Sequence, residues 1–279
     1  MKDATPNHDS ATDTTTLTQT SKAGYLNPNK LIEAQTKIFT ANGGNVINES
    51  CSKITTHHQG SNSYSLTLTN NQTINCDQII IACGWNTCGL TLNDSPIGNF
   101  NNLFSRYLFK TQSCALFEVE PSQLPTLPTS TIVFGGPTKG TEQELALHSC
   151  YMVPPILYLS SNKLYVKIGH GKYLEEVIPS DKFDEVAHWY NNSSTDPTTN
   201  TKTTTIDCLA QILKSLYPSF TQSNKTLTRN GVTVDTADSR VIQEKINDEK
   251  IYVCFGCNGY GAKCSDEVGR RMATMIQIK

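Results

Sequence analysis

The segment Ile251-Tyr252-Val253-Cys254-Phe255-Gly256-Cys257-Asn258-Gly259-Tyr260-Gly261-Ala262-Lys263 restricts what this chain can fold into more than any other. An apolar strand expected over 250–255 runs into a loop over 256–263 that holds three glycines, and a helix is expected over 265–276. A strand that turns through glycines into a helix points backbone N–H groups and the positive end of the helix dipole at one place. Such a place suits an electron-rich group, and Lys263 adds a full positive charge beside it. The same arrangement also serves plain strand–helix packing, so other segments have to discriminate.

A second apolar segment, Ile79-Ile80-Ile81-Ala82-Cys83-Gly84, shows no alternation. That describes a strand covered on both faces, as in a parallel layered sheet, with Gly84 allowing close backbone approach at its end. Around it, residues 1–22 are mostly Thr, Ser, Asp and Asn and read as a disordered leader. Asn27 is placed to cap a helix that has Pro28 at its first position. That helix runs over 29–41, with Leu31, Ala34, Ile38 and Ala41 on one face, and stops at Asn42-Gly43-Gly44. Strands are expected over 45–48, 63–69 and 73–82, the last two joined as a hairpin at Asn70-Asn71.

From about 93 to 228 the texture changes to separate strands with proline-rich joints, over 103–110, 114–119, 130–134, 149–152 and 163–168. Such a pattern predicts an antiparallel sheet. Helices over 182–190 and 207–216 follow, separated by a polar loop over 191–205. The second helix turns Leu209, Ile212, Leu213 and Leu216 toward a core. The expected organisation is a leader at 1–22, a layered α/β part at 23–92, an α+β part at 93–228, and a return to the first domain at 229–279.

Charge and cysteine usage remove several function classes. Lys plus Arg number 23 against 25 Asp plus Glu, so the formal charge of −2 gives no basic surface for nucleic acid. No apolar run reaches the roughly 18 residues of a membrane span, and no secretory leader pattern opens the sequence. The expected compartment is therefore intracellular, the cytoplasm. Of 10 cysteines only Cys254 and Cys257 form a Cys-x-x-Cys pair, without a second pair to complete a zinc site, so reduced interior thiols and no metal are expected. His57, His58, His148 and His188 lack a partner pattern and read as surface or satisfied polar residues.

Four stretches, in this order, resemble the D-amino-acid oxidase-like flavoproteins, and within them the sarcosine and pipecolate oxidase branch. They are Ala23-Gly24-Tyr25-Leu26-Asn27-Pro28, then Ile79 to Gly84 with Trp85-Asn86, then Tyr165-Val166-Lys167-Ile168-Gly169, and the block from Asp238 to Gly269. The resemblance implies a glutathione-reductase-like FAD-binding domain with an inserted antiparallel-sheet substrate domain. It implies oxidation of the C–N bond of an amino acid or secondary amine to an imine, with O2 as acceptor. It places the backbone near Cys51 at the adenine side of FAD and Ala82, Cys83 and Gly84 beside the cofactor. The loop residues Gly259, Tyr260, Gly261 and Ala262 then stand at the pyrimidine end of the flavin ring, where donors meet developing negative charge, with Gly256 and Asn258 also at the cofactor. Lys263 matches the lysine that holds a substrate carboxylate, and Lys167 the lysine that helps activate oxygen. At about 4 Å and an effective dielectric of about 20, a fixed cation contributes roughly 4 kcal/mol to a developing anion.

Departures from the family pattern carry expectations of their own. The covalent flavin cysteine would fall near Gly231, so FAD would be non-covalent. Where the branch carries a histidine after the strand stands Gly171, with His170 one residue early, and Thr236-Ala237-Asp238 replaces Thr-Pro-Asp. The Gly-x-Gly-x-x-Gly unit that receives the pyrophosphate is absent from the sequence, as is its strand–loop–helix setting. The expectation is a truncated oxidase that binds FAD weakly. The alternative is a catalytically inactive descendant that binds a ligand or a protein.

Overall fold

The computed structural model describes residues 4–9, 14–19, 27–57, 63–126, 131–133, 149–158, 162–170, 175–192, 200–220, 226–246 and 250–277. His58 and His148 lie outside these residues. The chain divides into two compact units, Met1–Asn48 and Glu49–Lys279.

In the first unit β1 (Ala4–Asp9) and β2 (Thr14–Gln19) pair antiparallel, Ala4 opposite Gln19 and Asp9 opposite Thr14. Composition alone predicts no structure there, but a threonine-rich run also favours extended backbone, because β-branching restricts χ1. Helix α1 (Pro28–Ala41) starts as expected, with Asn27 Oδ1 accepting from the N–H groups of Asn29 and Lys30 at 3.0 and 3.3 Å. It ends where Asn42 donates back to the Ile38 carbonyl at 2.8 Å and Gly43 turns to φ +87°. No residue of α1 is buried, and of its apolar face only Leu31 is partly so among the described residues. The strand expected over 45–48 does not form, and Val46 and Ile47 are exposed. Two apolar residues between asparagines give a strand too little to bury.

In the second unit β3 (Cys51–Thr56) pairs with β4 (Tyr64–Leu68), and β4 with β5 (Thr73–Cys76) across the Asn70-Asn71 turn, where Asn71 takes φ +66°. The strand expected over 73–82 breaks at Asp77-Gln78, so β6 (Ile79–Ile81) joins another sheet. Strands β7 (Thr91–Leu92), parallel to β3, and β8 (Ser95–Pro96) complete a five-stranded sheet.

Strand β9 (Tyr107–Glu118) merges the two short strands expected over 103–110 and 114–119, whose first residues instead form 3-10 turns up to Arg106. On one side it pairs with β12 (Lys163–His170) and β13 (Val177–Pro179), and on the other with β14 (Thr226–Thr236). Strands β10 (Thr131–Val133) and β11 (Cys150–Tyr158) extend this six-stranded antiparallel sheet beyond β12. The sequence pattern conceals β14 because Asn230-Gly231 reads as a turn, yet it pairs continuously with β9 and runs unbroken through residues 228 and 229.

Helices α2 (Phe183–Asn192) and α3 (Asn200–Leu216) follow, α3 starting seven residues earlier than the periodicity shows (207 to 200). Part of the loop expected over 191–205 is therefore helical. Leu209, Ile212 and Leu213 of α3 are buried with Ala115, Phe117, Val166 and Ile168 of the sheet, each worth about 1.5–3 kcal/mol for a large side chain. Strand β9 ties this core to a second one, where its Phe109 packs with Ile79, Ile81, Val253 and Phe255.

The element that positions the site is a three-stranded sheet, in which β15 (Ile242–Lys245) pairs antiparallel with β16 (Ile251–Phe255) and β16 pairs parallel with β6. The parallel pairing agrees with the unalternated isoleucine run. The burial does not, since β6 is an edge strand and Ile80 is 50% exposed. After β16 the chain turns through 256–260 into α4 (Gly261–Gln277), four residues earlier than the expected helix start.

Candidate functional site

The loop between β16 and α4 is built by two left-handed glycines, Gly256 at φ +77° and Gly259 at φ +73°, with Asn258 between them at φ +49°. Asn258 locks the turn onto the end of β14. Its N–H donates to the Val234 carbonyl at 3.1 Å, its Oδ1 accepts from the Thr236 N–H at 2.8 Å, and its Nδ2 donates to the Gly256 carbonyl at 2.7 Å. Tyr260 N–H closes on the Cys257 carbonyl at 2.7 Å. One of the expected donors, the Tyr260 N–H, is thus used inside the loop. The N–H groups of Gly261 and Ala262 instead open the first turn of α4, where amides have no intrahelical acceptor.

A cavity of about 780 Å³ lies against this loop, between the end of β6, the middle of β14 and one face of α4. Ile80, Ala82, Gly84 and Trp85 line one side, Val232 and Val234 the floor, and Val268, Met272 and Ile276 the helix side. Trp85 is held by Phe183 and Tyr190 of α2, at ring-centroid distances of 5.5 and 5.2 Å. A Cβ on Gly84 or Gly269 would meet nothing within 4 Å, so the cavity surface at both is bare backbone beside open space.

Of the residues expected at a cofactor site, Ala82, Gly84, Gly256, Asn258, Gly259 and Gly261 line this cavity. Cys83 is exposed and Cys51 sits half-buried at the start of β3 with its Sγ on the Lys53 carbonyl; neither lines it. Tyr260 is 60% exposed and lines a separate polar cleft of about 430 Å³. In that cleft Lys110 bridges Asp235 and Glu175 at 3.0 Å each. Ala262 and Lys263 fall in the first turn of α4 rather than in the loop, and the Lys263 side chain lies outside the described residues. Lys167 stands on β12, away from the cavity lining, on the sheet face opposite Val166 and Ile168. His170 is buried, its Nε2 accepting from the Ser113 N–H at 3.0 Å, which keeps that nitrogen unprotonated.

Sequence reasoning missed the floor and the helix wall. The β-branched alternation of Val232 and Val234 was a usable signal, masked by the preceding Asn-Gly. The sequence places a helix over 265–276 but does not show that Val268, Met272 and Ile276 form a wall. The Cys254 thiol, pushed up to about 11 by burial and by the nearby Cys257 and Cys264 thiols, is protonated at neutral pH, so Cys254-x-x-Cys257 does not present a thiolate to this cavity.

The residues fit a flavin ring in part. Apolar walls with backbone donors at one end suit a flat aromatic system whose pyrimidine edge is polar. They do not fit a diphosphate, since no Lys or Arg is among the described lining residues.

A family model described as FAD dependent oxidoreductase, DAO, matches residues 5–275. Among solved structures, a thermally stable mutant of fructosyl peptide oxidase matches at a TM-score of 0.64 and 13% identity, over 91% of this chain and 55% of that one. A double-cysteine mutant of Amadoriase I from Aspergillus fumigatus matches at 0.59 and 12%, over 92% and 53%. At such identities these likenesses show the fold, and the chain spans about half the length of either structure. No curated protein matches it. The family match over nearly the whole sequence places this chain in the DAO family of FAD-dependent oxidoreductases.

Proposed function

We propose that this chain serves the oxidation of a C–N bond in an amino acid or secondary amine to an imine, with O2 reduced to hydrogen peroxide. The observation that carries it is the glycine loop, braced by Asn258, which opens the first turn of α4 beside an apolar cavity. Bound FAD would supply the two-electron acceptor. Ala82, Gly84, Gly256, Asn258, Gly259 and Gly261 would hold its ring, with the Gly261 and Ala262 amides at the electron-rich end. Cys51 and Cys83 lie outside the ring cavity; in this proposal the backbone near Cys51 stays with the adenine side and Cys83 with the strand end beside the cofactor. Lys263 takes the substrate carboxylate, and Lys167 supplies the cation on the oxygen side.

The cavity lining also supports weak cofactor binding by this 279-residue chain. Three or four charge-assisted bonds to a diphosphate are worth about 4–12 kcal/mol, against about 12 kcal/mol for a nanomolar complex. The sequence holds no Gly-x-Gly-x-x-Gly segment to supply them. Fluorescence titration of the purified chain tests this, with FAD and riboflavin compared. Similar, weak affinities are expected, because the ring supplies most of the contact. A chain that purifies yellow with stoichiometric FAD would overturn the weak-binding proposal. With FAD in excess, peroxide release from N-methyl and cyclic imino acids tests the oxidase proposal. Riboflavin binding without peroxide from any substrate would favour the inactive descendant, a reading supported by the lack of Lys or Arg among the described lining residues.

A further inference from the structure

We propose that Tyr151 is a positioning residue for Lys167, holding its ammonium group through ring and phenol, and that Gly169 is the space that lets the ring lie there. The inference rests on the oxygen-side role given to Lys167 for its functional meaning, but not for its geometry. Tyr151, Gly169 and Cys114 form one row across β11, β12 and β9, since Tyr151 pairs with Gly169 and Gly169 with Cys114. Lys167 lies two residues along β12 from Gly169 and so faces the same way. Its Nζ stands 5.8 Å from the centroid of the Tyr151 ring, over the face, where a cation is attracted by the ring quadrupole.

The ring crosses β12 only because position 169 has no side chain. A Cβ on Gly169 would come within 2.4–2.5 Å of Tyr151 Cε1, Cζ and the hydroxyl oxygen. Among the described residues Lys167 has no carboxylate in ion-pair range, so its charge is held by polarisable and hydroxyl groups alone. The groups that face it are Tyr151 and Tyr158 from β11 and Cys114 from β9. Burial pulls the Lys167 ammonium down, and these neighbours more than offset it, leaving it above its ordinary value. A cation meant for an incoming ligand has to stay charged without being consumed by an acid. A phenol and a ring face meet both requirements.

The test is competitive labelling of the lysines with trace acetic anhydride across pH, mapped by peptide mass spectrometry on the full chain without cofactor. Tyr151→Phe keeps the ring and removes the hydroxyl, and Gly169→Ala displaces the ring. Both are expected to release Lys167, giving roughly tenfold faster labelling at pH 8 with other lysines unchanged, because burial then acts without its counterweight. A larger change is expected for Gly169→Ala than for Tyr151→Phe. If labelling of Lys167 is the same as wild type in both folded variants, the proposal is overturned. Should labelling respond while Lys167→Met leaves peroxide formation with excess FAD unchanged, the positioning stands and the oxygen-side role falls.

Discussion

Replacing Gly256 by alanine perturbs the site through two separable physical effects. The first is backbone strain: at φ +77° an L residue costs about 1–2 kcal/mol relative to glycine. The second is steric, because the new Cβ would stand 2.7 Å from Thr236 Cγ2. Thr236 cannot yield easily. Its Oγ1 donates to the Arg240 carbonyl at 2.8 Å, and its N–H is held by Asn258 at 2.8 Å. Overpacking of this kind costs about 1–3 kcal/mol, so Gly256→Ala should destabilise by about 2–5 kcal/mol in total. Gly84→Ala is the internal control, since its φ of +59° carries the strain while a Cβ there meets nothing within 4 Å. It should cost only the first part. Thr236→Ser removes the clashing methyl and keeps the hydroxyl, so the double variant Gly256→Ala/Thr236→Ser should recover about 1–3 kcal/mol relative to additivity. Urea unfolding followed by circular dichroism, with unchanged slope, measures all four chains. Equal costs for Gly256→Ala and Gly84→Ala, with no coupling to Thr236→Ser, would refute the claim that the loop is pinned onto β14.

Two further outcomes follow from the ionisable groups. Hydrogen bonds from Arg270 and Arg271 hold the Glu267 carboxyl down at about 2, against an ordinary value of 4.5. Its contribution to α4 is therefore complete above about 4.5 and lost as pH falls toward 2. Glu267→Gln should flatten the acid limb of the urea midpoint between pH 5 and 2.5, and an identical limb would count against the pair. Among the thiols, Cys83 is exposed, whereas burial pushes Cys88 up to about 12 and Cys150 up to about 11. Iodoacetamide pulses at pH 8 should label Cys83 in the native chain, and Cys88 and Cys150 only after unfolding. Equal native rates would show that this part of the fold opens freely.

The sequence alone determined the local events. The start of α1 at Asn27-Pro28, the Asn70-Asn71 hairpin, the parallel character of β6 and the strand–glycine loop–helix unit at the C-terminal end each depend on neighbouring residues. Their physics is cap geometry, positive φ and hydrophobic periodicity, all readable within a few positions. Tertiary structure decided what those units meet. Only pairing along the whole of β9 makes a strand of Thr226–Thr236 despite Asn230-Gly231, because a central ladder outweighs a local turn preference. Only the sheet order leaves Ile80 at an edge, though its sequence suits a strand covered on both faces. The split of the loop residues is likewise a matter of packing, with Gly259 facing the apolar cavity and Tyr260 the polar cleft beyond it. Sequence spacing fixes which residues follow one another; which wall each one joins depends on contacts between segments far apart in the chain.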